Sequence, residues 1–296
     1  MDTEGRLARY RDADCWPTEE SLAAMLDNQQ AAFVAVRNAL PGLTRAVRAA
    51  ADRLAGSGRL VYVGAGASGR LALQDGVELH PTFGWPHERL VYLLAGGEAA
   101  VVRSVEGAED DAAAGKAEMM ALRPTAEDVV LAVAASGTTA FTRAAQATAR
   151  TAGALTVAMA NNPSAPLLTD AEIPVLLHTG PEFLAGSTRM TAGTAQKMAL
   201  NLFSTQLMME LGRVYQGLMV NVVPANTKLV ARSHRIVQAI TGCDLDRAAS
   251  AWERAGQDIK LAVLLIDGLG EQEATARLNE ARGDLRRART IPTTHR

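Results

Sequence analysis

Five short apolar runs punctuate the chain between residues 59 and 180, and polar segments with helical spacing separate them. The runs are Arg59–Gly66 (RLVYVGAG), Arg89–Gly97 (RLVYLLAGG), Asp128–Gly137 (DVVLAVAASG), Ala154–Asn162 (ALTVAMANN) and Ile173–Gly180 (IPVLLHTG). Each is rich in Val, Leu or Ala and closes on Gly or Asn. Apolarity without alternation marks strands buried on both faces, as in a parallel sheet covered by helices. The segments between them, TRAAQATARTAG among them, read as helices. Strand and helix in alternation predict a doubly wound α/β domain with a five-stranded parallel sheet and right-handed crossovers.

The chain before Arg59 reads as two helices. Thr18 opens the first behind Pro17, and LPGL (Leu40–Leu43) interrupts the pattern. After the fifth run, a long helical pattern extends from about Thr191 to Gly217. Pro224 and Asn226 punctuate the chain beyond it and set a boundary near residue 222. Several short helices follow, with stops at Gly242 and Gly268. The predicted organisation is an N-terminal helical segment (1–52), the α/β domain (53–222) and a small all-helical C-terminal domain (223–296). The closing TIPTTHR carries no such pattern and is expected to be disordered. There is no internal repeat and no low-complexity tract.

Composition narrows the function classes. A chain of 296 residues with 48% hydrophobic residues suffices for one large core with a smaller satellite. The formal net charge is -2 and no basic cluster stands out, so nucleic acid is not an expected partner. Cys15 and Cys243 are isolated and the five histidines scattered, which gives neither a zinc spacing nor a disulfide framework. The opening MDTEGRLARYRDADCWP has no apolar centre, so a secretory signal is not expected. No apolar run is long enough to span a bilayer. The expected location is the cytoplasm.

The candidate chemistry begins at the first strand end. Gly64-x-Gly66-x-x-Gly69 has the spacing of a dinucleotide-binding turn. The acid that would read a ribose belongs at the end of the next strand. That strand closes on Gly96-Gly97-Glu98, late and spaced out by glycines, which weakens the nicotinamide-dinucleotide reading. The third strand ends in a second loop, Ser136-Gly137-Thr138-Thr139, also ahead of a helix. The first loop likewise closes on Ser68-Gly69. Helix N-termini present unpaired N–H groups and a favourable dipole to phosphate, and hydroxyls add neutral donors. Hydroxyls in such places also cap helices. Two such loops on one sheet favour a phosphate site.

These residues resemble a known family. GAGASGRLALQDGVELHPTFG, LLAGGEAAVVRSVEGAEDD, AASGTTAF and GSTRMTAGTAQKMALN are similar to successive blocks of the N-acetylmuramic acid 6-phosphate etherases, whose core is a sugar isomerase (SIS) domain. VNVVPANTKLVARS and ITGC continue the likeness toward the C-terminal helices. It runs in collinear order from about Arg59 to Gly242. The resemblance implies a SIS-type fold and cleavage of the D-lactyl ether of N-acetylmuramic acid 6-phosphate. The products would be N-acetylglucosamine 6-phosphate and D-lactate, formed in peptidoglycan recycling. It implies no metal and no cofactor. This chain departs from the family at Ala67 (commonly Thr), His80 (Pro), Thr138 and Ala140 (Arg and Pro) and Thr191 (Lys).

The resemblance also assigns roles. It carries a catalytic acid to Glu78 and a second essential carboxylate, the base, to Glu109. Phosphate and substrate binding fall to Gly66, Ser68, Gly69, Ser136, Gly137, Thr138 and Thr139. Ser187, Thr188 and Arg189, ahead of the long helix, either hold phosphate or cap that helix. Glu78 lies between Val77 and Leu79, where desolvation is expected to favour its neutral form. Glu109 stands among Glu106, Asp110 and Asp111 and, residues alone considered, reads as a solvated acidic cluster. Ser68 and Glu78 are ten residues apart, about 15 Å along an unbroken helix. A helix break at Gly76 or a site shared between subunits would close that gap, so a homodimer is expected. Two other functions stay open. A non-catalytic phosphosugar sensor would keep the hydroxyl loops without needing the glutamates, and an NAD-dependent oxidoreductase would use the glycine turn.

Overall fold

The computed structural model describes residues 2–292. The five apolar runs form β1 (Leu60–Gly64), β2 (Leu90–Leu94), β3 (Val129–Val133), β4 (Leu155–Ala160) and β5 (Ile173–Leu176). They make one parallel sheet in the order β2-β1-β3-β4-β5. β1, β3 and β4 are buried along their whole length, as continuous apolarity requires. Pro174 is tolerated because β5 is an edge strand.

The chain before β1 departs from expectation. α1 (Thr18–Leu54) is a single helix of 37 residues that passes through Pro41. Its buried stripe, Ala32, Ala35, Val36, Ala39, Leu43, Ala46, Val47, Ala50 and Leu54, has helical spacing and packs across β3, β4 and β5. An interior proline costs about 3 kcal/mol through the hydrogen bond it removes. Small side chains offset it by close packing. At Gly42 an added methyl would stand 3.2 Å from the Pro174 carbonyl oxygen. LPGL is therefore a packing feature and not a stop.

Between the strands run α2 (Gly66–Val77), α3 (Leu79–Phe83), α4 (Ala99–Val102), α5 (Ala112–Ala121), α6 (Ala140–Thr151) and α7 (Pro166–Thr169). Val61, Val63 and Val130 on one sheet face pack with Met119 of α5 and Phe141 of α6. Tyr62, next along β1, donates its phenol proton to Asp75 of α2. Helices so cover both faces. α8 (Thr191–Glu210) stops short of the predicted Gly217. A turn and a two-stranded hairpin, β6 (Val214–Tyr215) and β7 (Leu218–Met219), take its place.

Five helices close the described chain: α9 (Thr227–Thr241), α10 (Leu245–Arg254), α11 (Ile259–Ile266), α12 (Glu271–Glu280) and α13 (Leu285–Thr290). Asn226, Asp244, Asp258 and Asp284 each accept a hydrogen bond from the backbone N–H three residues on, capping α9, α10, α11 and α13. Their core gathers Val237, Trp252, Val263 and Leu264. Lys260 is buried on α11, its ammonium donating to the Gly283 carbonyl. Of TIPTTHR, Thr290 ends α13, and the last four residues lie outside the described ones.

Contacts divide the chain along other lines than the boundaries at 52 and 222. One compact unit holds the chain up to Gly76 and His87–Ser204; the other holds Val77–Pro86 and the chain from Thr205 on. Within the second unit, Arg213 donates to the carbonyls of Phe83 and Gly84, and the Val223 N–H to that of Pro81. No helix among the described residues is long and apolar enough to cross a membrane.

Candidate active site

The strand order places the site. β1 is followed in the chain by β2 on one side of it, while β3 pairs on the other. The chain's direction of winding reverses between β1 and β3, and open α/β sheets bind ligands beyond the strand ends at such a point. Gly64 at the end of β1 is paired with Val133 at the end of β3. The two glycine- and hydroxyl-bearing loops therefore leave the sheet side by side. A dinucleotide fold has the order 3-2-1-4-5-6, whereas the order here matches the other doubly wound class.

The first loop turns directly into α2. Gly66 has φ +54°, in the left-handed region, and an added Cβ would point into open space, so the backbone there is approachable. Gly69 packs under it; a methyl at this position would collide with Leu94 and Gly64. Ser68 lies in the first turn of α2 and is mostly buried.

The second loop carries the more informative geometry. The Ser136 Oγ accepts from the Thr138 N–H at 3.2 Å and from the Thr138 hydroxyl at 3.0 Å. A serine hydroxyl accepts twice and donates once, so its proton is left for an outside acceptor. Gly137 has φ +69° and is buried, its α-carbon against Ala165. Thr139 stands at the N-cap of α6, yet its side chain makes no capping bond. The capping alternative therefore fails at Thr139. Asn162, just beyond the end of β4, fastens the loop by donating to the Ala135 and Ser136 carbonyls.

At the third segment the outcome is reversed. Glu182, fully buried, accepts from the Thr191 N–H at 2.9 Å and the Ala192 N–H at 2.8 Å. The side chain that caps α8 is thus that of Glu182, not of Ser187, Thr188 or Arg189, and the Thr188 carbonyl accepts from the Gly193 N–H. Ser187 and Thr188 are half-buried, and Arg189 is exposed with no ion-pair partner among the described residues. The Thr191 hydroxyl donates to Asn28 of α1 inside the core. Two links bring this segment to the same end of the sheet. The Gly186 N–H donates to the Thr3 carbonyl, and the Thr3 N–H to Asn162. A methyl at Gly193 would stand 3.5 Å from Leu71 of α2.

The two glutamates are placed differently. Glu109 lies in a 3₁₀ turn (Ala108–Asp110) that packs against α6, so the chain after Gly97 folds back to that helix. Glu109, Asp110 and Asp111 are exposed, and Asp111 caps α5. Glu78 stands between α2 and α3, exposed, next to Val77 at 46% exposure. The apolar enclosure expected around it is absent because Val77 faces outward. α2 also does not break at Gly76; it runs through to Val77, leaving Ser68 and Glu78 at its opposite ends. By contacts Glu78 belongs to the second compact unit.

Asp75 fixes the far end of α2 and went unnoticed in the sequence. It is buried and accepts from Tyr62 (2.8 Å), Asn201 (2.6 Å) and Ser204 (3.0 Å). Burial pulls its pKa up from the ordinary carboxylate value, and the three hydrogen bonds pull against it. Among the described residues no His, Cys, Asp and Glu group of three or more is arranged to hold a metal ion.

Known proteins are similar to this chain in sequence. The profile of the glucokinase regulatory protein N-terminal SIS domain matches residues 42–150. An N-acetylmuramic acid 6-phosphate etherase from Deinococcus radiodurans is 51% identical over 278 residues, 94% of this chain and 91% of that protein. The etherase from Pectobacterium atrosepticum is 46% identical over 86% of this chain and 84% of its own. The one from Mesorhizobium japonicum is 42% identical over 98% and 95%. Among solved structures, a phosphoheptose isomerase from Francisella tularensis is 16% identical with a TM-score of 0.49, covering 66% of this chain and 100% of that one. With half of its residues shared with such a relative along nearly its whole length, on a SIS-type parallel sheet, the chain belongs to the N-acetylmuramic acid 6-phosphate etherase family.

Proposed function

We infer that this protein is a lyase that cleaves the D-lactyl ether of N-acetylmuramic acid 6-phosphate, giving N-acetylglucosamine 6-phosphate and D-lactate. The observation that carries the reading is the pair of hydroxyl-bearing glycine loops at the β1/β3 reversal, in a chain of this family. The 6-phosphate sits on Gly66, Ser68 and Gly69 and on Ser136, Gly137, Thr138 and Thr139. The open N-terminus of α6 and the free Ser136 proton face it. Ser187 and Arg189 approach it as side chains only.

The chemistry follows from the position of the ether. It stands at C3, β to the aldehyde carbon of the open-chain sugar. Glu109 removes the C2 proton, giving an enolate-like species. That species expels the C3 oxygen, which takes a proton from Glu78 and leaves as D-lactate. Water then adds at C3, and a proton returns to C2. Each proton transfer of this kind typically gives about 10²–10⁴-fold. Glu78 is exposed in the single chain, so the groups that enclose it during the reaction come from substrate or a second subunit. A homodimer with sites at or near its interface fits that requirement. The setting is peptidoglycan amino-sugar recycling in the cytoplasm.

Incubation with N-acetylmuramic acid 6-phosphate, assayed for D-lactate, tests the reading. Binding without lactate release would instead mark a phosphosugar sensor. The glutamate roles separate in deuterium oxide. Glu78→Ala should abolish lactate release yet leave C2–H exchange visible by NMR, whereas Glu109→Ala should lose both. Exchange surviving only in Glu109→Ala reverses the roles.

A further inference from the structure

One flank of α1, beside its buried stripe, is apolar at exposed positions where a surface helix is ordinarily polar. Leu22, Leu26, Phe33 and Leu40 are 60%, 71%, 62% and 46% exposed. At 3.6 residues per turn they fall on one narrow stripe that borders the buried stripe packed on the sheet. Leu26, Phe33 and Leu40 repeat every seven residues, the spacing of a seam between two helices. The repeat is symmetric about Phe33. A run of large exposed apolar residues of this kind marks an interaction surface.

Charge says what covers it. From Thr18 to Val36 the helix carries Glu19, Glu20 and Asp27 and no Lys or Arg. From Arg37 to Leu54 it carries Arg37, Arg45, Arg48 and Arg53 against Asp52 alone. The helix is acidic in one half and basic in the other, so it complements itself only when reversed. A parallel copy would set acid against acid and base against base. In an antiparallel pair centred on Phe33, Leu26 meets the other copy's Leu40, Phe33 meets Phe33, and Glu19 falls beside Arg48. That is a two-fold contact in which the same patch serves both copies.

We propose that α1 is the dimer interface of this protein, formed by antiparallel pairing of two copies about Phe33. This rests on the homodimer reading above and gives it a surface, a direction and a register. The partner is a second copy of this chain. α1 belongs to the same compact unit as the sheet, so the pairing joins two sheet units.

Cysteine cross-linking of the full chain tests it, with Cys15 and Cys243 replaced by serine. Phe33→Cys should give a disulfide-linked dimer under diamide, because its two copies meet on the axis. Leu22→Cys should not, because its two copies lie about 33 Å apart along the antiparallel pair. Linking at both positions means a parallel pair and overturns the proposal. Light scattering completes the test. Phe33→Asp, exposed and so compatible with folding, should convert dimer to monomer with unchanged circular dichroism. Arg48→Glu should weaken association about fivefold, and adding Glu19→Arg should restore it. If the wild type is a dimer, yet Phe33→Cys does not link and Phe33→Asp stays dimeric, the α1 interface is overturned and the homodimer stands. A wild-type monomer overturns both.

Discussion

Two helix N-termini at the same end of the sheet have opposite fates. α6 begins at Thr139 with no side-chain cap, whereas α8 begins under the buried carboxylate of Glu182. Both ends carry the same unpaired N–H groups and the same positive end of a dipole. One has them engaged within the fold and the other presents them at the β1/β3 reversal. Whether a helix start is available to a phosphate depends on who already occupies it, and a Ser- or Thr-rich segment ahead of the helix does not reveal this.

The sharpest way to break that comparison is Glu182→Ala. It strips two charge-assisted hydrogen bonds from a buried helix end and should cost about 3 kcal/mol or more, read by urea unfolding. The affinity of the folded fraction for N-acetylglucosamine 6-phosphate should not change. A gain in affinity would mean that α8 competes for the phosphate. Ser136→Ala comes next and acts on the open end. Calorimetry with the same ligand should show affinity lower by about ten- to a hundredfold, the worth of one hydrogen bond to a charged group. The smallest effect belongs to Thr139→Ala. A true N-cap threonine is worth about 1 kcal/mol of stability. Here unfolding should shift by less than about 0.5 kcal/mol, with a modest loss of ligand affinity. A full capping loss would place Thr139 in the same class as Glu182.

The sequence made some of this legible for identifiable reasons. The five strands were readable because the central ones are buried on both faces and so apolar without interruption. The two phosphate loops were readable because they follow such strands directly. Glu182 was not, since it caps a helix from nine residues upstream, whereas a capping residue is sought next to its helix. Asp75 was hidden because its three donors come from β1 and α8, far apart in the chain. Pro41–Gly42 read as a stop because local propensity disfavours both residues in a helix; contact with β5 overrides it. Glu78 was expected to be enclosed because its neighbours are Val and Leu. At a helix junction neighbours point in different directions, and Val77 points out.

The ammonium of Lys260, held under the Gly283 carbonyl, makes the protein's stability sensitive to base. Burial draws its pKa down from 10.5 to about 8. In the unfolded chain the same group keeps its proton until about pH 10.4. Between these values the unfolded state binds more protons than the folded one, so stability climbs as pH rises from about 8 toward about 10. Above that range the buried phenols of Tyr62 and Tyr92 oppose the trend, because burial has pushed their pKa values up and unfolding lets them ionise. Through these groups, resistance to denaturant should rise from about pH 8 toward about pH 10 and fall above it. Lys260→Met should flatten the rise between about pH 8 and about pH 10 while leaving the decline above it in place.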